Sequence, residues 1–158
     1  MACCHTMRPS DPFAHPGSRL ALNTFRLNGA LIALGDALVA PLGLTSARWQ
    51  VMGAIAEAEG TLPVAGLARN MGLVRQSGQR VADELAALGL VRFADNPHHR
   101  RAKLVQLTDK GAALFADASA RWLTVADALV AEFGADEIER AADFLRLVRE
   151  RVETRNKP

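Results

Sequence analysis

The sequence predicts a mainly α-helical chain that carries one small antiparallel β-hairpin. Three observations lead there. Ala and Leu dominate a composition that is 49% hydrophobic and lacks Tyr, which favours helix over sheet. Apolar residues recur at helical spacing through most of the chain, with Gly or Pro where each pattern stops. One segment, Leu90 to Thr108, instead alternates with period two on either side of an Asn96-Pro97 turn.

The elements follow in order. Residues 1–16 hold Pro9, Pro12 and Pro16 with little apolar content and read as a flexible tail. Leu27, Leu31, Leu34 and Leu38 line one face of a first helix, which Pro41 and Gly43 end. Thr45 suits the N-cap of a second helix, TSARWQVMGAIAEAEG, stopping at Gly60. Pro63 suits the first turn of a short third helix, PVAGLARNMG, closed at Gly72. A fourth helix runs from about Arg75 to Leu88, with Val81, Leu85 and Leu88 as its buried stripe and Gly89 at its end. Gly78 lies inside it, where Gly costs about 1 kcal/mol relative to Ala. It either admits a close neighbouring backbone or is merely tolerated.

The strands LVRFAD and AKLVQLT come next, with Leu104 and Leu107 expected on the core side. Thr108 suits the cap of a long helix whose Leu114, Ala118, Trp122, Val125 and Leu129 share a face. Gly134 interrupts, and a last helix places Ile138, Ala142, Leu145, Val148 and Val152 on one stripe. The first helix and the last two lie outside the compact middle of the chain, so their apolar stripes need a partner. A second copy of the chain is the expected one.

Charge is distributed unevenly. The net charge is +2, but residues 61–108 carry seven Lys/Arg against three acids, leaving that segment at +4 and the remainder at −2. A basic module in an otherwise slightly acidic chain is the footprint of nucleic-acid binding; a solvated basic face is the alternative. The only cysteines, Cys3 and Cys4, are neighbours in the tail and cannot staple a fold. Beside His5 they make a weak metal signal, and as exposed thiols near Arg8 they leave thiol-based redox sensing open. No uninterrupted apolar run reaches the roughly 18 residues of a membrane span and no secretory pattern is present, so a cytoplasmic location without a membrane partner is expected. GxSxG, Walker, HExxH and CxxC motifs are all missing. An enzyme is therefore not expected, nor a cofactor, a metal or a catalytic residue.

The middle of the chain orders its elements as short helix, turn, helix, strand, basic tip, strand. In a helix-turn-helix the second helix presents its N-terminal side chains to base edges in the major groove. Here those are Arg75, Gln76, Ser77, Gln79 and Arg80. Arg pairs with guanine O6 and N7 and Gln with adenine N6 and N7, each through two hydrogen bonds, while Ser suits phosphate or a base edge. The hairpin tip offers Arg100 and Arg101 for a narrow minor groove, Lys103 for phosphate, and His98 and His99 for the DNA backbone. A hairpin module of this kind that binds protein instead of DNA is the rival reading, and two cationic probes argue against it.

The runs LTSARWQVMGAI, LARNMGLVRQSGQRVADELAALGLV and DNPHHRRAKLVQLTDKG resemble the multiple antibiotic resistance regulator (MarR) family of bacterial transcription factors. The resemblance covers roughly Ser18 to Val152, and its most specific part is the fourth helix with the RRAKLVQLT hairpin. It implies a winged helix-turn-helix lobe at residues 45–108, flanked by dimerisation helices at 17–44 and 109–158 in one unit. It further implies a homodimer on a pseudo-palindromic double-stranded DNA operator, with DNA binding under small-molecule or oxidant control; the expected role is a repressor released by a small molecule, with thiol-based redox sensing through Cys3 and Cys4 as the alternative. An aromatic effector would sit near Asn28, Arg48, Trp49 and Met52, where an Arg beside a Trp offers charge and stacking. Two positions depart from the family pattern. His99 stands where members commonly carry an Asp that orients the wing arginine, and Gly78 stands where an aliphatic residue is usual.

Overall fold

A computed structural model describes residues 14–59, 62–64, 66–67, 75–97 and 102–155 of the 158-residue chain. The described elements are α1 (Pro16–Val39), a 3-10 turn (Ala40–Leu42), α2 (Ser46–Glu57), α3 (Arg75–Ala87), β1 (Val91–Ala94), β2 (Leu104–Leu107), α4 (Asp109–Phe133) and α5 (Ala135–Arg155). The chain is mainly helical with a two-stranded antiparallel hairpin, as expected. It divides into two compact units, Met1–Phe115 and Ala116–Pro158.

In the first unit, α2 is the central element and packs on α1, α3 and β2. Its Val51, Met52 and Ile55 are buried with Val39, Leu44, Leu67, Val81, Ala82, Leu85, Leu90, Val91 and Val105. Polar groups fix where α2 starts. Thr45 Oγ1 accepts the Arg48 N–H at 3.3 Å, the cap expected of it, and Asp36 Oδ1 accepts the Ser46 N–H at 2.6 Å. A carboxylate at a helix N-terminus also meets the positive end of the helix dipole.

The strands pair Val91 with Leu107, Arg92 with Gln106, Phe93 with Val105 and Ala94 with Leu104. Pro63 bridges to Leu104, and the Val105 N–H reaches the Leu62 carbonyl at 3.1 Å, so residues 62–63 extend the hairpin by one edge. The foot of the hairpin is clasped to both helices beside it. Thr108 Oγ1 donates to the Gly89 carbonyl at 2.7 Å and accepts the Gly111 N–H at 3.0 Å, while the Thr108 N–H reaches the Leu90 carbonyl at 3.0 Å. Gly89, at φ 69, turns the chain from α3 into β1 through a left-handed conformation that suits Gly.

Four expectations are corrected. Leu104 and Leu107 cannot both face the core, because a spacing of three in a period-two strand puts them on opposite faces; Val105 is the fully buried residue of β2. Leu88 is 43% exposed, because α3 ends at Ala87 and the inward stripe is Gly78, Val81, Ala82 and Leu85. Pro16 belongs to α1 and not to the tail. It occupies the first helical turn, where its missing N–H costs nothing, and His15 Nδ1 accepts the Gly17 N–H at 3.1 Å. The helical stretch Pro16–Leu42 contains a segment long and apolar enough to cross a membrane by length and composition, although no such segment was expected. A search for an unbroken apolar run misses it, because Arg19, Arg26 and Asp36 punctuate it.

The helices leave apolar side chains open in each unit. On α1 these include Leu27 (51% exposed), Leu31 and Leu34; on α5 they include Leu145 and Val152 (52%), and no described residue of α5 is buried. Elsewhere α5 carries Glu137–Arg140, Asp143–Arg146–Glu150 and Arg149–Glu153 ion pairs. Hydrogen bonds from Arg146 to Asp143 and Glu150 hold its guanidinium above the usual arginine pKa.

Candidate nucleic-acid interface

The inward stripe of α3 leaves its other side to solvent. Gln76, Gln79, Arg80 and Asp83 are exposed, Ser77 is half-buried, and Arg75 is the first residue of the helix. At 100° per residue, Gln76, Gln79, Arg80 and Asp83 fall on one face. Gln76, Gln79, Arg80, Asp83 and Glu84 line an open hollow of about 530 Å³. The structure thus brings the expected reading residues Gln76, Gln79 and Arg80 together on one exposed surface, opposite the buried Gly78.

Two carboxylates on that surface entered the sequence reading only as charges, without their contacts. Asp83 Oδ1 accepts from Gln79 Nε2 at 2.8 Å, and Glu84 Oε1 accepts from Arg80 Nη1 at 3.3 Å. The other Glu84 oxygen, Oε2, takes a fork from Arg48 on α2, at 3.3 Å from Nε and 3.1 Å from Nη2. The spacing of Gln79 to Asp83 and of Arg80 to Glu84, four residues in both cases, is a signal that could have found the first two contacts. The link from Arg48 joins residues thirty-six apart, and nothing local in the sequence announces it.

On the hairpin, Lys103 is exposed, as a phosphate contact requires. His98, His99, Arg100 and Arg101 lie outside the described residues, as do Cys3 and Cys4. Arg92 and Gln106 add a cross-strand hydrogen bond of 3.2 Å (Nε to Oε1) on the outer face. With Ile55, Ala56, Glu59 and Leu107 they line a second open hollow of about 310 Å³.

The effector candidates differ in exposure. Asn28 is exposed on α1, Arg48 and Trp49 are half-buried, and Met52 is 0% exposed in the core. Met52 presents no surface to a ligand in the single chain. Among the described residues no cluster of three or more His, Cys, Asp or Glu is placed to hold a metal.

Comparison with known proteins places these features in context. A family model described as "MarR family" matches residues 42–102, which take in α2, α3 and β1 and end just before β2. An uncharacterized protein of Mycobacterium tuberculosis is 33% identical over 129 residues, covering 82% of this chain and 89% of that one. Among solved structures, a mutant of MarR from E. coli complexed with operator DNA matches with a TM-score of 0.74 at 25% identity, over 88% of this chain and 99% of the other. The PcaV transcriptional regulator from Streptomyces coelicolor, in complex with its natural ligand, matches with a TM-score of 0.67 at 25% identity, over 91% and 98%.

Proposed function

This chain belongs to the MarR family, and on that premise we propose that it is a homodimeric, sequence-specific DNA-binding transcriptional repressor released by a small molecule. The observation that carries this reading is the exposed face of α3, where Gln76, Gln79 and Arg80 stand together above a buried stripe. Arg75 and Ser77 complete the reading set, with Gln and Arg suited to adenine and guanine edges in the major groove. Lys103 and the tip residues His98, His99, Arg100 and Arg101 supply the second, wing contact. The likeness to MarR on operator DNA supports DNA as the partner.

The second copy follows from burial. The apolar stripes of α1 and α5 stay open in the single chain, and fully burying one Leu or Val side chain contributes about 1.5–3 kcal/mol. Several such residues on each protomer make a dimer the stable form, and the same demand gives the apolar α1 a protein partner in place of lipid. Residues 45–108 then form the reading lobe, with 17–44 and 109–158 as dimerisation segments. The likeness to PcaV with its natural ligand supports a small-molecule effector. Asn28, Arg48 and Trp49 are its candidate contacts, while the buried Met52 offers it no surface in the single chain.

Footprinting on an operator selected in vitro tests this reading. Two protected half-sites one helical turn apart, about 34–36 Å between centres, are expected from a two-fold dimer. A single asymmetric half-site occupied by a monomer contradicts it.

A further inference from the structure

Glu84 is the meeting point of two arginines that belong to different helices. We propose that Glu84, braced by Arg48, is a positioning residue that sets the base preference of Arg80. This inference rests on the DNA-reading role proposed for α3.

Arg80 is 73% exposed along its side chain, and Glu84 is its one ion-pair partner among the described residues. A long exposed side chain samples many rotamers, and ordering it on binding opposes affinity. The contact at Nη1 restrains Arg80 while leaving Nε and Nη2 for a base edge. Helix energetics alone gives little reason for the pair, because an Arg four residues before a Glu is the weaker orientation against the helix dipole. The Arg48 fork supplies the reason. It occupies Oε2, so only Oε1 is left for Arg80, and it fixes where that oxygen stands.

Charge makes the same point. Glu84 between two arginines leaves the cluster at +1, so Arg80 is oriented without being neutralised. Remove Arg48, and both carboxylate oxygens become available to Arg80. A bidentate Arg–Glu pair would draw the guanidinium away from DNA. Arg48 thereby acts on DNA reading from a helix that presents no base-reading residue, and an anion that captured Arg48 would have the same effect.

The test compares binding of the wild-type dimer, Glu84→Gln, Arg48→Ala and the double variant to a selected operator and to a scrambled duplex. A panel of operators changed one base at a time completes it. Glu84→Gln removes a negative charge and frees Arg80. It is expected to bind scrambled DNA more tightly and to lose about tenfold in operator preference, concentrated at the base pair that Arg80 reads. Arg48→Ala is expected to weaken binding to both duplexes. The double variant is expected to resemble Glu84→Gln, because the trap is gone. Arg48→Lys keeps the charge but not the fork, and should fall between wild type and Arg48→Ala. Thermal melts of each variant separate a loss of folding from these effects, since a merely structural role moves the melt and not the pattern of base preference. An unchanged base preference in Glu84→Gln, or additive losses in the double variant, overturns the positioning role while leaving the regulator reading intact. A folded wild type that binds neither duplex overturns both.

Discussion

Replacing Gly111 by Ala is expected to destabilise the protein by about 3 kcal/mol, near the upper end for overpacking a closed site. Gly111 lies in the first turn of α4, where a Cβ would overlap the Leu90 carbonyl oxygen and lie 2.9 Å from the carbonyl carbon. Both are backbone atoms, so no side chain can rotate away. The same carbonyl accepts the Thr108 N–H, and Thr108 in turn caps α4 and holds the Gly89 carbonyl. The clash therefore strains the joint between α3, the hairpin and α4. The sign of the effect is informative. On helix propensity alone Gly→Ala should stabilise by about 1 kcal/mol, so a large loss can only come from the close approach. Thermal unfolding at a fixed protein concentration checks it, with a fall in Tm of roughly 10 °C expected. An unchanged or raised Tm would show that the backbones move apart freely.

Arg80→Ala is expected to cost about 1–3 kcal/mol of operator binding, tenfold or more in Kd, without altering the melt. The side chain is 73% exposed and contributes to no buried contact. The loss should be concentrated on operators that keep the base pair it reads, so base preference relaxes at that position in each half-site. Arg101→Ala makes the contrast: a phosphate or minor-groove contact should weaken all duplexes more evenly and flatten the salt slope by about one. An equal loss for Arg80→Ala on every duplex would make it a backbone contact and remove it from the reading set.

Much of the fold was legible because local chemistry marks element ends. Thr45 and Thr108 accept the N–H groups expected of helix caps, and Gly43, Gly89 and Gly134 have the positive φ that ends a helix. The hairpin was legible from alternation and from Asn96-Pro97. Facing was harder to read. Leu104 and Leu107 drew attention as large residues, but strand period, not size, decides which side chain meets the core, and Val105 holds that place. Leu88 continued the helical pattern past the point where the backbone had turned.

The exposure of Gln76, Gln79 and Arg80 on α3 was legible because the apolar stripe assigns the opposite face to solvent. Their carboxylate tethers were only half legible. Asp83 and Glu84 stand at a visible i+4 spacing, yet the brace from Arg48 depends on how α2 packs against α3, and the Asp36–Ser46 contact depends likewise on how α1 meets α2. Such links are written in tertiary geometry and leave no periodic trace.

Titrating salt against operator binding tests the central claim most directly. If α3 and the hairpin grip DNA through cationic side chains, the logarithm of the binding constant falls linearly with that of salt, by about 0.9 for each phosphate neutralised. A dimer presenting Arg75, Arg80, Arg101 and Lys103 twice should give a slope of several units, with a selected operator held more tightly than a scrambled duplex at every salt concentration. A slope near zero, or equal affinity for operator and scrambled DNA throughout, would contradict the account.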